Sequence, residues 1–192
     1  MKKINRKLLV LLILSVSFWG CSDSDDESGQ DLITSYQLAG TYRAQITPTF
    51  MSSSPITTGE HTIKIEDLGN GSIRLFFDKF QKEPMPFQMT VDINMKVSKG
   101  SGNTLVLTGE NGTFKAEPPS GGAIDPNDVP PGIQLPEGSE GGMTSSKATI
   151  KGKFGEIEKD GKTAMRFDLD LTPGIALPIQ ILIYTHEKSN NH

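Results

Sequence analysis

The sequence predicts an all-β domain, an antiparallel meander of eight or nine strands closed into a barrel. Two observations carry this. Apolar and polar residues alternate with a period of two through most of the chain, the mark of strands with one buried and one solvated face. The alternating runs are separated by short glycine-containing turns, and the 192 residues include 20 glycines and 12 prolines. Closure is favoured because it leaves no exposed strand edge.

The first segment stands apart from this pattern. Lys2, Lys3, Arg6 and Lys7 precede an apolar run of 12 residues, Leu8 to Trp19. A basic stretch followed by an apolar run of that length reads as a secretory signal peptide over residues 1–20. The run is too short to span a bilayer, which takes about 20 residues. Phe18-Trp19-Gly20-Cys21 resembles a bacterial lipobox, with Gly20 as the small residue and Phe18 and Trp19 bulkier than the usual pattern. Cys21 is the single cysteine, so no intramolecular disulfide is available and lipidation is its expected fate. The expected membrane partner is therefore a bilayer reached through the acyl chains on Cys21.

Removal of residues 1–20 leaves 15 basic residues against 23 acidic ones, moving the net charge from -4 to -8. Such a balance argues against a nucleic-acid partner. Asp23, Asp25, Asp26, Glu27 and Asp31 crowd the segment after Cys21, and residues 21–37 read as a polar, unstructured tether. Ser-Asp-Ser-Asp-Asp-Glu at 22–27 resembles the acidic export signal of Bacteroidetes surface lipoproteins. That resemblance implies an outer-membrane lipoprotein displayed on the cell surface, with a periplasm-facing orientation as the alternative.

Strands are expected near 39–48, 61–67, 72–81, 87–98, 103–109, 112–117, 146–158, 163–171 and 178–186. Leu68-Gly69-Asn70-Gly71 and Lys99-Gly100-Ser101-Gly102 punctuate the meander, while Asn111-Gly112 and Asp160-Gly161 are two-residue hairpin signals. No window after the leader shows a helical period. The domain spans 38–187, followed by a polar tail at 188–192. A Pro/Gly-rich loop at 117–143 interrupts the rhythm with six prolines, six glycines, five acids and no basic residue. It reads as a flexible insertion or, with Val129, Ile133 and Leu135 as anchors, as a lid or partner-binding loop.

The body resembles the calycin-like, lipocalin-like barrel lipoproteins of Bacteroidetes. The resemblance rests on Leu38-Ala39-Gly40-Thr41-Tyr42, where lipocalins open their first strand with Gly-x-Trp, and on the leader, tether and meander around it. It implies a barrel with a floor aromatic at Tyr42, which Arg166 on the penultimate strand is in a position to stack upon if it is not simply a solvated strand residue. If the barrel holds a small apolar ligand, its cavity is expected to be lined by Tyr42, Ile73, Leu75, Phe77, Val91, Ile93, Phe167 and Leu169; the same residues also read as a packed core.

No catalytic constellation is legible. His61, His186 and His192 lack metal-site spacing and read as surface residues. Gly161-Lys162-Thr163 lacks the upstream glycine and the helix of a P-loop. Asp125-Pro126-Asn127-Asp128 fails the calcium-loop pattern. Gly138-Ser139-Glu140-Gly141 is mis-spaced for a nucleophile elbow. The expectation is a non-catalytic envelope protein, without cofactor or metal, that binds a small ligand or serves as an interaction module. The alternative is an accessory surface lipoprotein working through contacts with an envelope protein, near a polysaccharide-uptake system.

Overall fold

The computed structural model describes residues 27–50, 54–119, 122–123, 137–138, 141–159 and 161–189. The expected signal peptide, Cys21, the first part of the tether, most of the 117–143 loop and the last residues of the tail lie outside them. A helix, α1 (Gly29–Ser35), precedes β1 (Gly40–Phe50), the two-residue β2 (Ser54–Pro55), β3 (Gly59–Asp67), β4 (Ser72–Phe80) and β5 (Gln88–Lys99). β6 (Leu105–Glu117), β7 (Met143–Lys159), β8 (Lys162–Thr172) and β9 (Ile179–Lys188) follow. Among the described residues no helix is long and apolar enough to cross a membrane.

The eight long strands form an antiparallel meander closed into a barrel. β1 pairs with β3, each later strand pairs with the next, and β9 returns to β1 from Phe50↔Ile179 to Tyr42↔Lys188. Closure follows from the alternation. Ile63 and Ile65, Ile73, Leu75 and Phe77, Val91, Ile93 and Met95, and Phe167, Leu169 and Leu171 each turn inward and are buried. The intervening charged residues face out. The inward side chains form one hydrophobic cluster.

Two local expectations are corrected. Asn111-Gly112 is not a hairpin: 105–117 is a single strand. Asn111 has a φ of 58°, and the pairing with β5 and β7 slips around it. Both neighbours run the whole length of β6, so the positive φ makes a bulge that bends the strand rather than a turn that reverses it. A Cβ on Gly112 would press into Ile93, which is why the bulge needs glycine there.

The second correction is α1, inside the segment read as unstructured tether. Ser28 caps it: its hydroxyl accepts from the Asp31 amide at 3.2 Å while the Asp31 carboxylate accepts from the Ser28 amide at 3.3 Å. Seven residues are too few to display a period in sequence, but Leu32 and Ile33 are each 1% exposed. They plug one end of the barrel with Leu38, and Gln30 ties the helix to the β3–β4 turn through Asp67 and the Gly71 amide. At the opposite end Phe80, Met85, Phe87 and Leu177 are buried in the same cluster.

Candidate functional site

The eight residues expected to line a cavity all turn inward, and none is more than 4% exposed. They belong to the packed cluster that fills the barrel, and only Tyr42 lines one of the clefts described below. Their geometry is that of a core. Phe167 packs on Phe154 at 4.6 Å between centroids and edge-on to Tyr42 at 5.2 Å, and Tyr36 meets Phe154 edge-on at 6.2 Å.

This aromatic chain surfaces at the helical end of the barrel. There a cleft of about 390 Å³ is lined by Ser35, Tyr36, Gln37, Tyr42, Phe154, Met165 and Lys188. Its volume lies in the range of small-ligand sites, about 300–1,000 Å³. Its elements converge because α1 crosses the barrel end just before β1 begins, while β9 finishes and the β7–β8 hairpin runs past the rim. Met165 keeps the inward phase of Phe167 but lies beyond the rim, so 42% of it is exposed. An exposed thioether beside three aromatic rings is an adaptable apolar contact.

The Gly-x-Tyr opening has a physical reason. Gly40 sits at φ 152°, and a Cβ there would collide with the stem of Lys188. Glycine lets Lys188 cross the start of β1, where its Nζ donates to the Gln37 carbonyl at 2.7 Å and lies 5.8 Å from the Tyr42 ring centroid. The cation over Tyr42 is therefore Lys188 and not Arg166. Arg166 follows the outward phase of β8, opposite to Phe167, and stacks on Tyr184 instead, with Cζ 5.3 Å from the ring centroid. Nor is it a solvated residue, being only 7% exposed.

Tyr42 donates its hydroxyl to the Leu38 carbonyl at 2.7 Å, clasping the chain that leads from α1 into β1. Burial pushes its pKa up to about 12. The folded state holds the phenol proton more tightly than the unfolded chain does. This contribution to stability is therefore complete below about pH 10, the ordinary tyrosine value, and is lost as pH rises toward 12. Tyr42→Phe is expected to lower stability at pH 7 by about 1 kcal/mol, the usual net worth of a hydrogen bond. The variant's stability should also fall less steeply between pH 10 and 12; urea unfolding at pH 7, 10 and 11 measures both effects.

Two further clefts lie along the outer wall at the β6 bulge. One of about 450 Å³ is lined by Ser72, Asn94, Met95, Lys96, Thr108, Gly109, Glu110 and Asn111. One of about 330 Å³ lies between β6, β7 and β8 and includes Thr149, Lys151, Asp170 and Thr172. Both are lined largely by polar residue types and mark where the ladder parts. Beside the first, Arg74 grips Asp92 in a two-bond fork at 2.6 and 2.7 Å and Glu66 at 3.0 Å. The Arg74 hydrogen bonds hold the Asp92 carboxyl below its ordinary pKa, and bonds from Lys64 and then Arg74 do the same for Glu66. This network braces β3, β4 and β5.

His61 is not a free surface residue: its ring meets Phe77 and Phe80 edge-on, and Nε2 lies 2.7 Å from the Asp78 carbonyl oxygen. His186 faces Tyr184 edge-on. Among the described residues no group of three His, Cys, Asp or Glu side chains is placed to hold a metal ion. Compared with known protein families, with curated proteins and with solved structures, the chain matches none. Fold and cleft define a closed eight-stranded antiparallel barrel of the kind a calycin-like chain would form.

Proposed function

We propose that this chain is a lipid-anchored, non-catalytic envelope protein of the calycin-like class whose barrel is a binding module for a small apolar ligand. The anchor is Cys21 and the acidic segment after it directs the domain outward. The ligand sits at the helical end of the barrel rather than inside it. The observation that supports this is the contrast between a packed interior and an aromatic cleft of about 390 Å³ with Met165 42% exposed at its edge.

The cleft offers Tyr36, Tyr42 and Phe154 as apolar walls and Lys188 as one charged rim group. That combination suits a flat or elongated apolar body carrying a polar or anionic end. The test is a fluorescence titration with N-phenyl-1-naphthylamine, an apolar probe that brightens out of water. The expected result is saturable binding at one site, weakened about tenfold or more by Met165→Glu, which sets a charge in the apolar contact. Binding unchanged by Met165→Glu would move the site elsewhere.

A further inference from the structure

On the outer wall the β7–β8 hairpin outruns its neighbours. The β8–β9 ladder ends at Asp168↔Tyr184, yet β7 and β8 continue to pair as far as Lys159↔Lys162. The tip of this arm lies against the outer faces of β9 and β1. Lys159 Nζ donates to Gln45 Oε1 at 2.9 Å and sits 3.8 Å from the Tyr184 ring centroid. Gln45 and Tyr184 are paired across the β1–β9 ladder, so one lysine spans both strands.

Arg166 is enclosed beneath this arm. It is 7% exposed, its Nη2 donates weakly to the Lys162 carbonyl at 3.4 Å, and its Cζ lies 5.3 Å from the same Tyr184 ring. Two cations thus share one aromatic ring. Neither makes an ion pair with a carboxylate among the described residues. The Arg166 Nε and the Tyr184 hydroxyl are both buried with no hydrogen-bond partner among the described residues. An enclosed guanidinium with an open donor and no ion-pair partner among the described residues is a penalised arrangement unless something negative completes it.

We propose that Arg166, Lys159 and Tyr184 form a binding site for an oxyanion, the carboxylate or phosphoryl group of a ligand. The Arg166 Nε–H and the Tyr184 O–H donate to it, and Lys159 supplies the second positive charge. Arginine suits this role because its planar fork matches both groups, and charge-assisted bonds of this kind are the strong ones. The site does not depend on the cleft at the helical end: its residues are outward-facing and none of them lines that cleft.

The test is a titration of the ¹⁵N-labelled protein with inorganic phosphate, and separately with acetate, at ionic strength held constant with sodium chloride. The expected result is that the Arg166 Nε–H resonance and the backbone amides around Tyr184 follow one saturating curve. Saturation by acetate assigns a carboxylate, and saturation by phosphate alone assigns a phosphoryl group. Tyr184→Phe, which keeps the packing, should weaken binding about fivefold, and Arg166→Lys about tenfold or more. Lys151→Gln, on the outer face of β7 but outside the cluster, should change nothing. Linear shifts without saturation for both anions, or saturation insensitive to Tyr184→Phe and Lys159→Gln, would overturn the proposal.

Discussion

Replacing Phe167 by alanine is expected to destabilise the barrel by about 3–5 kcal/mol, the range for deleting a buried aromatic side chain. Phe167 is fully buried and stands between Tyr42 and Phe154 in the aromatic chain that joins the core to the cleft. Its loss removes two ring contacts as well as a side-chain volume that the neighbouring strands, held by ladders on both sides, cannot collapse to refill. Phe167→Leu should cost less, because most of the volume remains. Denaturant unfolding of the two variants measures the difference. A cost below about 1 kcal/mol for alanine would mean that the interior is not close-packed at this position.

The second large effect is on location rather than stability. Cys21→Ala is expected to abolish acylation and to leave either a precursor that keeps its leader or, where the leader is cleaved elsewhere, a soluble product. Several acyl chains on one cysteine anchor stably where a single chain does not. With the thiol gone, the acylated mature form is lost, and the apolar run of 12 residues stays with the chain only where the leader is uncleaved. Fractionation and the mass of the mature N-terminus measure this, and globomycin should instead hold the wild-type chain as an acylated, uncleaved, membrane-bound precursor. Protease treatment of whole cells then separates surface display from a periplasm-facing orientation.

Much of the fold was legible because one physical cause dominates it. A closed antiparallel sheet imposes a period of two on every strand, and that period is visible from Ile63 through Leu171 in unbroken sets. Turn chemistry was equally readable where it acted alone, as at Gly161, which has a φ of 71° between β7 and β8. It misled at Asn111-Gly112. The same local preference for positive φ serves a bulge when strands lie on both sides, and sequence does not show which neighbours a segment has. Helix α1 was invisible for a related reason. Its stability comes from docking Leu32 and Ile33 into the barrel end rather than from its own seven residues.

The site was legible in part. Alternation placed Tyr42, Phe167 and the other proposed lining residues on the inner face, but the period does not distinguish a filled interior from a hollow one. The residues that shape the cleft were missed for different reasons. Tyr36 depends on the unforeseen helix. Met165 has inward phase and is exposed only because the hairpin passes the rim. Lys188 falls at the end of β9, in what read as a polar tail. Arg166 shows the same limit from the other side: its outward phase was correct, yet the arm that covers it is a tertiary feature.

The most direct test of the binding account uses methionine methyls as reporters. The chain places Met85 and Met89 in the buried core and Met165 at the cleft. In a titration of ¹³C-methyl-methionine-labelled protein with N-phenyl-1-naphthylamine, the account predicts a saturating shift of the Met165 methyl while those of Met85 and Met89 stay fixed. Shifts of the Met85 and Met89 methyls with Met165 unmoved would place the ligand inside the barrel and contradict it, as would a full titration in which no methyl moves.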